Sequence, residues 1–195
     1  MGLTASAKGK TMELIPAGSH QAICYGVVDL GKQYNQKFDS WKDKCLIFWE
    51  LPDERMHTEE GEKPRVISNQ YTTSLNEKSL LTAHLESWRG KKFTEEEKRG
   101  FNIANLIGAN CILSVVHNGD YANVSGVSPL MKGMAKKVAE SPTLLYDIDK
   151  DGTNIPDGVY DWVKDIIKKS EQFTDSEKHH YTQAEPEFPD DDIPF

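Results

Sequence analysis

The stretch 31–44 interleaves positive charges with aromatic rings. Its lysines are Lys32, Lys37, Lys42 and Lys44, and its rings are Tyr34, Phe38 and Trp41. Single-stranded nucleic acid is held by this combination, because lysines neutralise phosphates while unstacked bases lie against aromatic faces. The alternative is that one or two of the rings fold back as lids on a β-barrel. We favour contact with nucleic acid.

Further candidates for the same chemistry lie on predicted strands. In "CLIFWEL" (residues 45–51), Phe48 and Trp49 are adjacent, so their side chains point to opposite faces of the strand. We place Ile47, Trp49 and Leu51 inward and Leu46, Phe48 and Glu50 outward. Phe48 is then predicted as an exposed stacking platform, unless the N-terminal segment or a neighbouring subunit covers it.

Four more residues are weaker candidates. Tyr71 is a second predicted stacking ring, although the face on which it lies is less well defined by the pattern. Arg65, Lys91 and Lys92 suit phosphate contacts and equally suit solvated surface charges. We include all four in the predicted nucleic-acid interface.

The elements that must position these residues follow from periodicity and turn signals. Apolar, β-branched segments predict strands at 20–30, 45–51 and 65–74, and the stretch 31–44 is read as the loop between the first two. Leu81, Leu85 and Trp88 then recur at helical spacing up to Gly90, after a capping-box pair formed by Ser74 and Glu77. Thr94 and Glu97 form a second capping pair, and "NIANLIG" suggests one more turn.

Two more strands, 110–117 and 121–130, are joined through Asn118-Gly119, a strong hairpin signal. Three strands, a helix and two strands are the element order of an OB-fold, a five-stranded Greek-key barrel. We therefore predict a mainly β fold of this type over residues 1–130, with the helix between strands three and four.

Residues 131–170 are predicted as a C-terminal extension. "LLYDID" fits an edge strand, and Val159, Trp162, Val163, Ile166 and Ile167 form the apolar stripe of a helix. We expect this amphipathic helix to pack on the barrel, with a dimer contact as the alternative. "DIDKDG" begins like a calcium loop, but its twelfth position is Gly158 instead of the required Glu, so we read it as an acidic turn.

Nothing in the pattern points to an enzyme. Phosphate-loop, metalloprotease and nucleophile-elbow motifs are absent, and the histidines are scattered. We expect no catalytic residues, no metal and no cofactor. No apolar run approaches the roughly 20 residues of a membrane span, and the 3 cysteines lack a pairing pattern, which favours a cytoplasmic protein with reduced thiols and no membrane partner.

The acidity of the chain is concentrated at its end. The net charge is −8, and residues 171–195 hold one lysine against eight carboxylates. This segment lacks the apolar residues of a core and is predicted to be a disordered interaction tail. Its last three residues, Ile193, Pro194 and Phe195, are nevertheless apolar, which a solubility tail would not explain.

The terminal "DDDIPF" resembles, residue for residue, the tail tip of bacterial single-stranded DNA-binding proteins. Residues 3–130 resemble phage-encoded single-stranded DNA-binding proteins of OB-fold type, through "LIPAG", "VVDLG", "FWELPDE", "YTTSLNEKS", "LESWRGKKFTEEE" and "NLIGANCILSVVH". The resemblance implies that the tail recruits replication and repair enzymes. Phe195 and Pro194 would enter an apolar pocket of the partner, and Asp190, Asp191 and Asp192 would lie along its basic rim, with Ile193 between them.

The sequence thus predicts a non-enzymatic protein that coats single-stranded DNA without sequence preference during replication, recombination and repair. In a phage-encoded protein the location would be the cytoplasm of the bacterial host. The alternatives are an OB-fold adaptor that binds protein and a strand-annealing recombination accessory protein. If the chain self-associates, we favour a dimer over a tetramer.

Overall fold

The computed structural model describes residues 13–175, and its centre is an antiparallel sheet. The strands are β1 (Gly18–Asn35), β2 (Ser40–Thr58), β3 (Gly61–Thr72), β4 (Asn110–Asn118) and β5 (Tyr121–Ser128). Their order across the sheet is β3-β2-β1-β4-β5. The ladder stays open between β3 and β5, as in the partly open barrel of an OB-fold.

Helix α1 (Leu80–Arg89) connects β3 to β4 and packs on β3 and β5, which lie at the two open edges of the sheet. A short helix α2 (Glu95–Lys98) and a 3-10 turn (Ile103–Leu106) complete this connection. The predicted mainly β fold of OB type, with its helix between strands three and four, is confirmed.

The starts of α1 and α2 can be compared with the two capping boxes that the sequence predicts. Thr94 and Glu97 form the predicted reciprocal capping box at α2. The predicted capping by Ser74 and Glu77 is wrong, because α1 begins six residues after Ser74, at Leu80. The Ser74 hydroxyl and the Asn76 amide oxygen instead accept hydrogen bonds from backbone N–H groups two residues onward, which makes tight turns of this stretch.

The β4–β5 hairpin is confirmed, with its turn one residue later than the dipeptide suggests. Asn118 pairs with Tyr121, so Gly119 and Asp120 form the turn. Gly119 takes a φ of 60°, which a glycine at the first turn position of a hairpin adopts without strain.

Strand β2 separates two apolar cores, and its alternation is the one expected from the sequence. Cys45, Ile47, Trp49 and Leu51 lie in the barrel core together with Leu81, Leu85 and Trp88 of α1. Leu46 and Phe48 point the other way and lie in a second core on the outer face of the sheet.

The C-terminal part of the chain builds that second core. It contains β6 (Leu144–Tyr146), α3 (Ile148–Asp151) and α4 (Asp161–Ile167), and β6 pairs in parallel with Gly26–Val28 of β1. Val159, Val163 and Ile167 are buried against β1 and β2, as expected for the apolar side of an amphipathic helix. Trp162 departs from the predicted stripe, since 49% of it is exposed.

Order continues into the predicted tail. Residues 171–175 are helical, and Phe173 is buried in the second core. The first five residues of the predicted tail, 171–175, therefore belong to the folded part, because Phe173 has an apolar surface to bury.

The state of the cysteines and the character of the helices can be compared with the expectations from composition. Cys24, Cys45 and Cys111 are free thiols buried within strands, and burial raises the pKa of Cys24 to about 12 and of Cys45 to about 11. Among residues 13–175, no helix combines the length and the apolar character that crossing a membrane requires.

Candidate nucleic-acid interface

The stretch predicted as a loop between the first two strands is a β-hairpin that extends beyond the barrel. Strand pairing continues from Gly31↔Lys44 to Asn35↔Ser40, which leaves only residues 36–39 as the turn. Asn35 closes this turn, since its carbonyl oxygen accepts from the Phe38 N–H and its side-chain oxygen from the Lys37 N–H. Asp39 adopts a φ of 44°, a left-handed conformation that aspartate tolerates better than most residues. The prediction that 31–44 is the loop between the first two strands is therefore wrong for all but residues 36–39.

This hairpin brings the three predicted rings together and leaves them exposed. Tyr34 and Trp41 are cross-strand partners with ring centroids 5.3 Å apart. Each is 46% exposed, and Phe38 at the turn is 64% exposed. None of the three belongs to either core, so the alternative in which they fold back as lids does not apply.

Two of the predicted lysines lie close to the Phe38 ring. The Nζ atoms of Lys37 and Lys42 are 5.6 and 5.7 Å from its centroid. The tip therefore presents an exposed ring beside two positive charges, a combination that suits a base and its neighbouring phosphates. We call Tyr34, Lys37, Phe38, Trp41 and Lys42 the hairpin-tip cluster.

The hydroxyl of Tyr34 donates a hydrogen bond to the Asp39 carboxylate. This bond raises the pKa of the Tyr34 hydroxyl, so the ring stays neutral. It also ties the strand to the turn, which restricts the motion of the ring and lowers the entropic cost of stacking a base on it.

Lys32 lies at the base of the hairpin and is already engaged. Its Nζ is 3.3 Å from the Glu171 carboxylate, and its backbone N–H donates to the Gln172 side chain. A phosphate must therefore compete with Glu171 for this lysine, which makes it a weaker contact than Lys37 or Lys42.

The prediction that Phe48 is an exposed stacking platform is wrong. Its predicted direction is correct, but the side chain is only 2% exposed. The Tyr160 ring covers it, and Leu144 and Val163 complete the second core around it. The cover comes from the C-terminal extension, which was not among the expected covering segments.

Tyr71 is also misplaced as a stacking ring. It is 2% exposed and points into the barrel core, where its hydroxyl lies 2.8 Å from Nδ1 of His84. Burial raises the pKa of the Tyr71 hydroxyl and lowers that of the His84 imidazole. Both groups are therefore neutral and serve the core.

The three remaining cations do not join the hairpin-tip cluster. The Arg65 guanidinium donates to the Glu13 carbonyl oxygen and pairs with its carboxylate, which fixes the start of the described chain. Lys91 and Lys92 are exposed just after α1, and Lys91 lies 3.7 Å from Glu97. Lys91 and Lys92 follow the C-terminal end of α1. This helix has ten residues and is about 15 Å long, so the two lysines lie about that far from Leu80 at its start.

Negative charge collects in a cavity formed by β1, β2 and the C-terminal extension. This cavity of about 280 Å³ at the mouth of the barrel is lined by Asp29, Asp43, Asp147 and Asp149 among apolar residues. Burial raises the pKa of the Asp29 carboxyl. This cavity repels a phosphate backbone, in contrast to the lysine-bearing tip.

Sequence reasoning missed two residues near the hairpin. Lys78 lies two residues before Leu80, the first residue of α1. Both line a surface groove together with Lys42 and Lys44, near the start of β2. Each is exposed, with Leu80 54% accessible. One signal in the sequence could have indicated Leu80. It is an apolar residue next to the predicted helix, but the apolar stripe of that helix begins one residue later, at Leu81.

The six predicted partner-binding residues, Asp190, Asp191, Asp192, Ile193, Pro194 and Phe195, lie outside the described residues. No protein-family model and no curated protein matches this chain in sequence.

Proposed function

We propose that this chain binds single-stranded DNA without sequence preference and coats it during replication, recombination and repair. The observation that carries the proposal is the hairpin-tip cluster, in which exposed rings and lysines alternate on a β-hairpin at the end of β1 and the start of β2. The proposed activity is binding and not catalysis.

The chemistry of the cluster accounts for the absence of sequence preference. Every base has a π-face, so stacking on Tyr34, Phe38 or Trp41 accepts any base. Lys37 and Lys42 are suited to phosphates, which are the same at each nucleotide. An unpaired strand is required, because the bases of a duplex are stacked on one another.

Charge makes the binding dependent on salt. Each lysine–phosphate contact releases counterions from the strand, so affinity falls as salt concentration rises.

Tryptophan fluorescence provides a direct test. Trp41 and Trp162 are exposed, whereas Trp49 and Trp88 are buried. Titration with oligo-dT at low salt is expected to quench fluorescence with sub-micromolar affinity. The quenching should persist in Trp162→Phe and largely disappear in Trp41→Phe.

Anisotropy with a labelled oligo-dT provides an independent affinity, and a duplex of equal length is the control. Micromolar or weaker binding at low salt, or equal affinity for the duplex, would refute the proposal. Quenching that followed Trp162 would instead place the strand on the C-terminal extension.

We further propose that Asp190–Phe195 recruits replication and repair enzymes. The support is the sequence "DDDIPF" at the end of an acidic segment. Deleting Phe195 should abolish capture of such enzymes while leaving oligo-dT affinity intact. Loss of both activities would show that the tip also has a role in DNA binding.

A further inference from the structure

We propose that a groove at the base of the hairpin, between β2 and the start of α1, holds the phosphodiester backbone of the strand as it leaves the hairpin-tip cluster. This inference rests on the proposed binding of single-stranded DNA, and it assigns the path that the strand takes. The residues that define the groove are Lys42, Lys44, Lys78 and Leu80.

The groove is continuous with the hairpin tip because both share β2. Lys42 belongs to the hairpin-tip cluster and also lines the groove. Lys44 follows two residues later on the same face of the strand and pairs with Thr72 of β3. The open volume is about 620 Å³, which suits an extended polymer better than a small enclosed ligand.

The far wall of the groove is a well-bonded turn. The Thr73 N–H donates to the Asp43 carbonyl oxygen, which holds the chain against β2 as it leaves β3. The Lys78 N–H donates to the Asn76 side chain, which fixes the backbone that carries this lysine. Lys78 therefore lines the groove from a backbone whose position hydrogen bonds define.

The groove carries positive charge, and its lysines form no ion pairs with the described residues. Its lining contains three lysines and no carboxylate. Lys42, Lys44 and Lys78 have no ion-pair partner among residues 13–175, whereas Lys32 at the other side of the hairpin is paired with Glu171. Gln70 and Thr72 add neutral polar groups that can contact phosphate or sugar oxygens.

Leu80 gives the groove an apolar surface beside its charges. As the first residue of α1 it is 54% exposed, and the helix buries its neighbour Leu81 instead. An exposed leucine next to free lysines matches a nucleotide, which presents an apolar base face next to an anion.

Two neighbouring surfaces suit the strand less well. Further along the face of β2 that carries Lys42 and Lys44, the C-terminal extension covers the sheet, and Phe48 is buried beneath Tyr160. The mouth of the barrel carries four aspartates, including Asp43, which follows Lys42 on the opposite face of β2. A strand that stacks on the tip is therefore directed toward Lys44 and Lys78.

The test is the salt dependence of oligo-dT binding by the full chain with Lys44→Gln and Lys78→Gln combined. Each phosphate contact on a single strand contributes about 0.7 to the slope of log affinity against log salt, so losing two should make the slope shallower by about 1.4. The matched control is Lys132→Gln with Lys136→Gln, which removes two charges from exposed lysines of the segment after β5 and should leave the slope unchanged.

Three outcomes contradict the groove. An unchanged slope in the Lys44/Lys78 variant would exclude it while leaving the proposed function intact, provided that the wild type binds. An equal change in the control would show a general charge effect. A gain in affinity would mean that the lysines bind the acidic C-terminal segment of the chain instead of DNA. If the wild type itself failed to bind oligo-dT, the proposed function would fail first.

Discussion

The ring of Tyr160 stacks on the ring of Phe48, with centroids 5.7 Å apart and an angle of 28° between their planes. The Tyr160 hydroxyl also lies 3.1 Å from the hydroxyl of Tyr25 on β1. Through these contacts the C-terminal extension covers the sheet face that a minimal OB barrel leaves exposed. The aromatic rings thus fall into two groups. Phe48 is buried beneath Tyr160 and stabilises the fold, whereas the rings of the hairpin-tip cluster are exposed and can contact a ligand.

The first prediction tests this separation by stability. Phe48→Ala should lower the free energy of unfolding by about 3–5 kcal/mol, because it removes a buried ring and leaves a cavity. Phe38→Ala is the matched control, since the ring is 64% exposed and its loss should change stability by less than about 0.5 kcal/mol. Urea unfolding followed by circular dichroism measures both. Equal destabilisation would show that Phe38 packs in the fold.

The second prediction tests the same separation by binding. Phe38→Ala and Trp41→Ala should each weaken oligo-dT binding by about 1–3 kcal/mol, the contribution of one ring stacked on a base. Tyr121→Ala on the β4–β5 hairpin is the control, because this ring is 74% exposed and lies away from the hairpin-tip cluster. Fluorescence anisotropy provides the affinities. If Tyr121→Ala caused the larger loss, the site would move to the β4–β5 hairpin.

The alternation along β2 could be predicted from sequence, whereas the cover over Phe48 could not. Side chains on a strand alternate with a period of two, so placing Trp49 inward places Phe48 outward. Whether an outward ring is exposed depends on what packs over it, and Tyr160 comes from the far end of the chain. No local pattern near Phe48 carries that information.

The hairpin was misread for a related physical reason. Its side chains between residues 32 and 44 are exposed or half-buried, so the apolar alternation that marks a strand is missing. The residue types of the site were nevertheless recognisable, since rings and lysines in a polar stretch indicate a ligand. The strand pairing that brings Tyr34 against Trp41 required the structure.

A third prediction concerns Glu50, which has no exposed surface. Its carboxylate accepts the backbone N–H groups of Glu140 and Ser141 at 2.9 and 2.7 Å, which anchors the extension to β2. Glu50→Ala should cost about 1–3 kcal/mol for each donor left without a partner.

Hydrogen exchange provides the specific readout for this anchor. The amides of Glu140 and Ser141 should exchange faster in Glu50→Ala, and Glu50→Gln should restore part of their protection because it keeps one acceptor. Glu59→Ala, in the exposed turn between β2 and β3, should leave both amides unchanged. Unchanged exchange in Glu50→Ala would show that other contacts hold the extension.

The fourth prediction concerns the pH dependence of stability at His84. Burial lowers the pKa of this imidazole in the folded protein, so the unfolded chain binds more protons than the folded one once the pH falls below about 6.5. Acidification therefore destabilises the fold through His84. The loss of stability grows progressively as the pH falls from about 6.5, the pKa of an unfolded histidine, toward the lower pKa of His84 in the folded protein.

Comparing the wild type with His84→Gln isolates this contribution from those of other titrating groups. Glutamine retains a hydrogen-bonding group near the Tyr71 hydroxyl and does not titrate. Between pH 7.5 and pH 5.5, thermal unfolding should show a smaller decrease in Tm for His84→Gln than for the wild type. A larger decrease in the variant would contradict the assigned direction of the pKa shift.

The fifth prediction concerns Gly26, where β1 contacts β2 and β6 at once. The pairing of β1 with β2 shifts register between Cys24 and Gly26, as expected for a glycine at a bulge. A Cβ at this position would lie 2.9 Å from Leu144 Cβ and 3.1 Å from the Leu144 carbonyl oxygen. The glycine thus permits the close approach of β6.

Gly26→Ala should destabilise the protein by about 1–3 kcal/mol, the usual cost of forcing extra volume into a packed site. Gly126→Ala on β5 is the matched control, because its Cβ would meet Ser114 at an ordinary 3.7 Å and should be tolerated. Hydrogen exchange should also show faster exchange of the β6 amides in Gly26→Ala alone. If both variants unfolded at the same urea concentration, the close contact between Gly26 and Leu144 would not limit the packing of the extension.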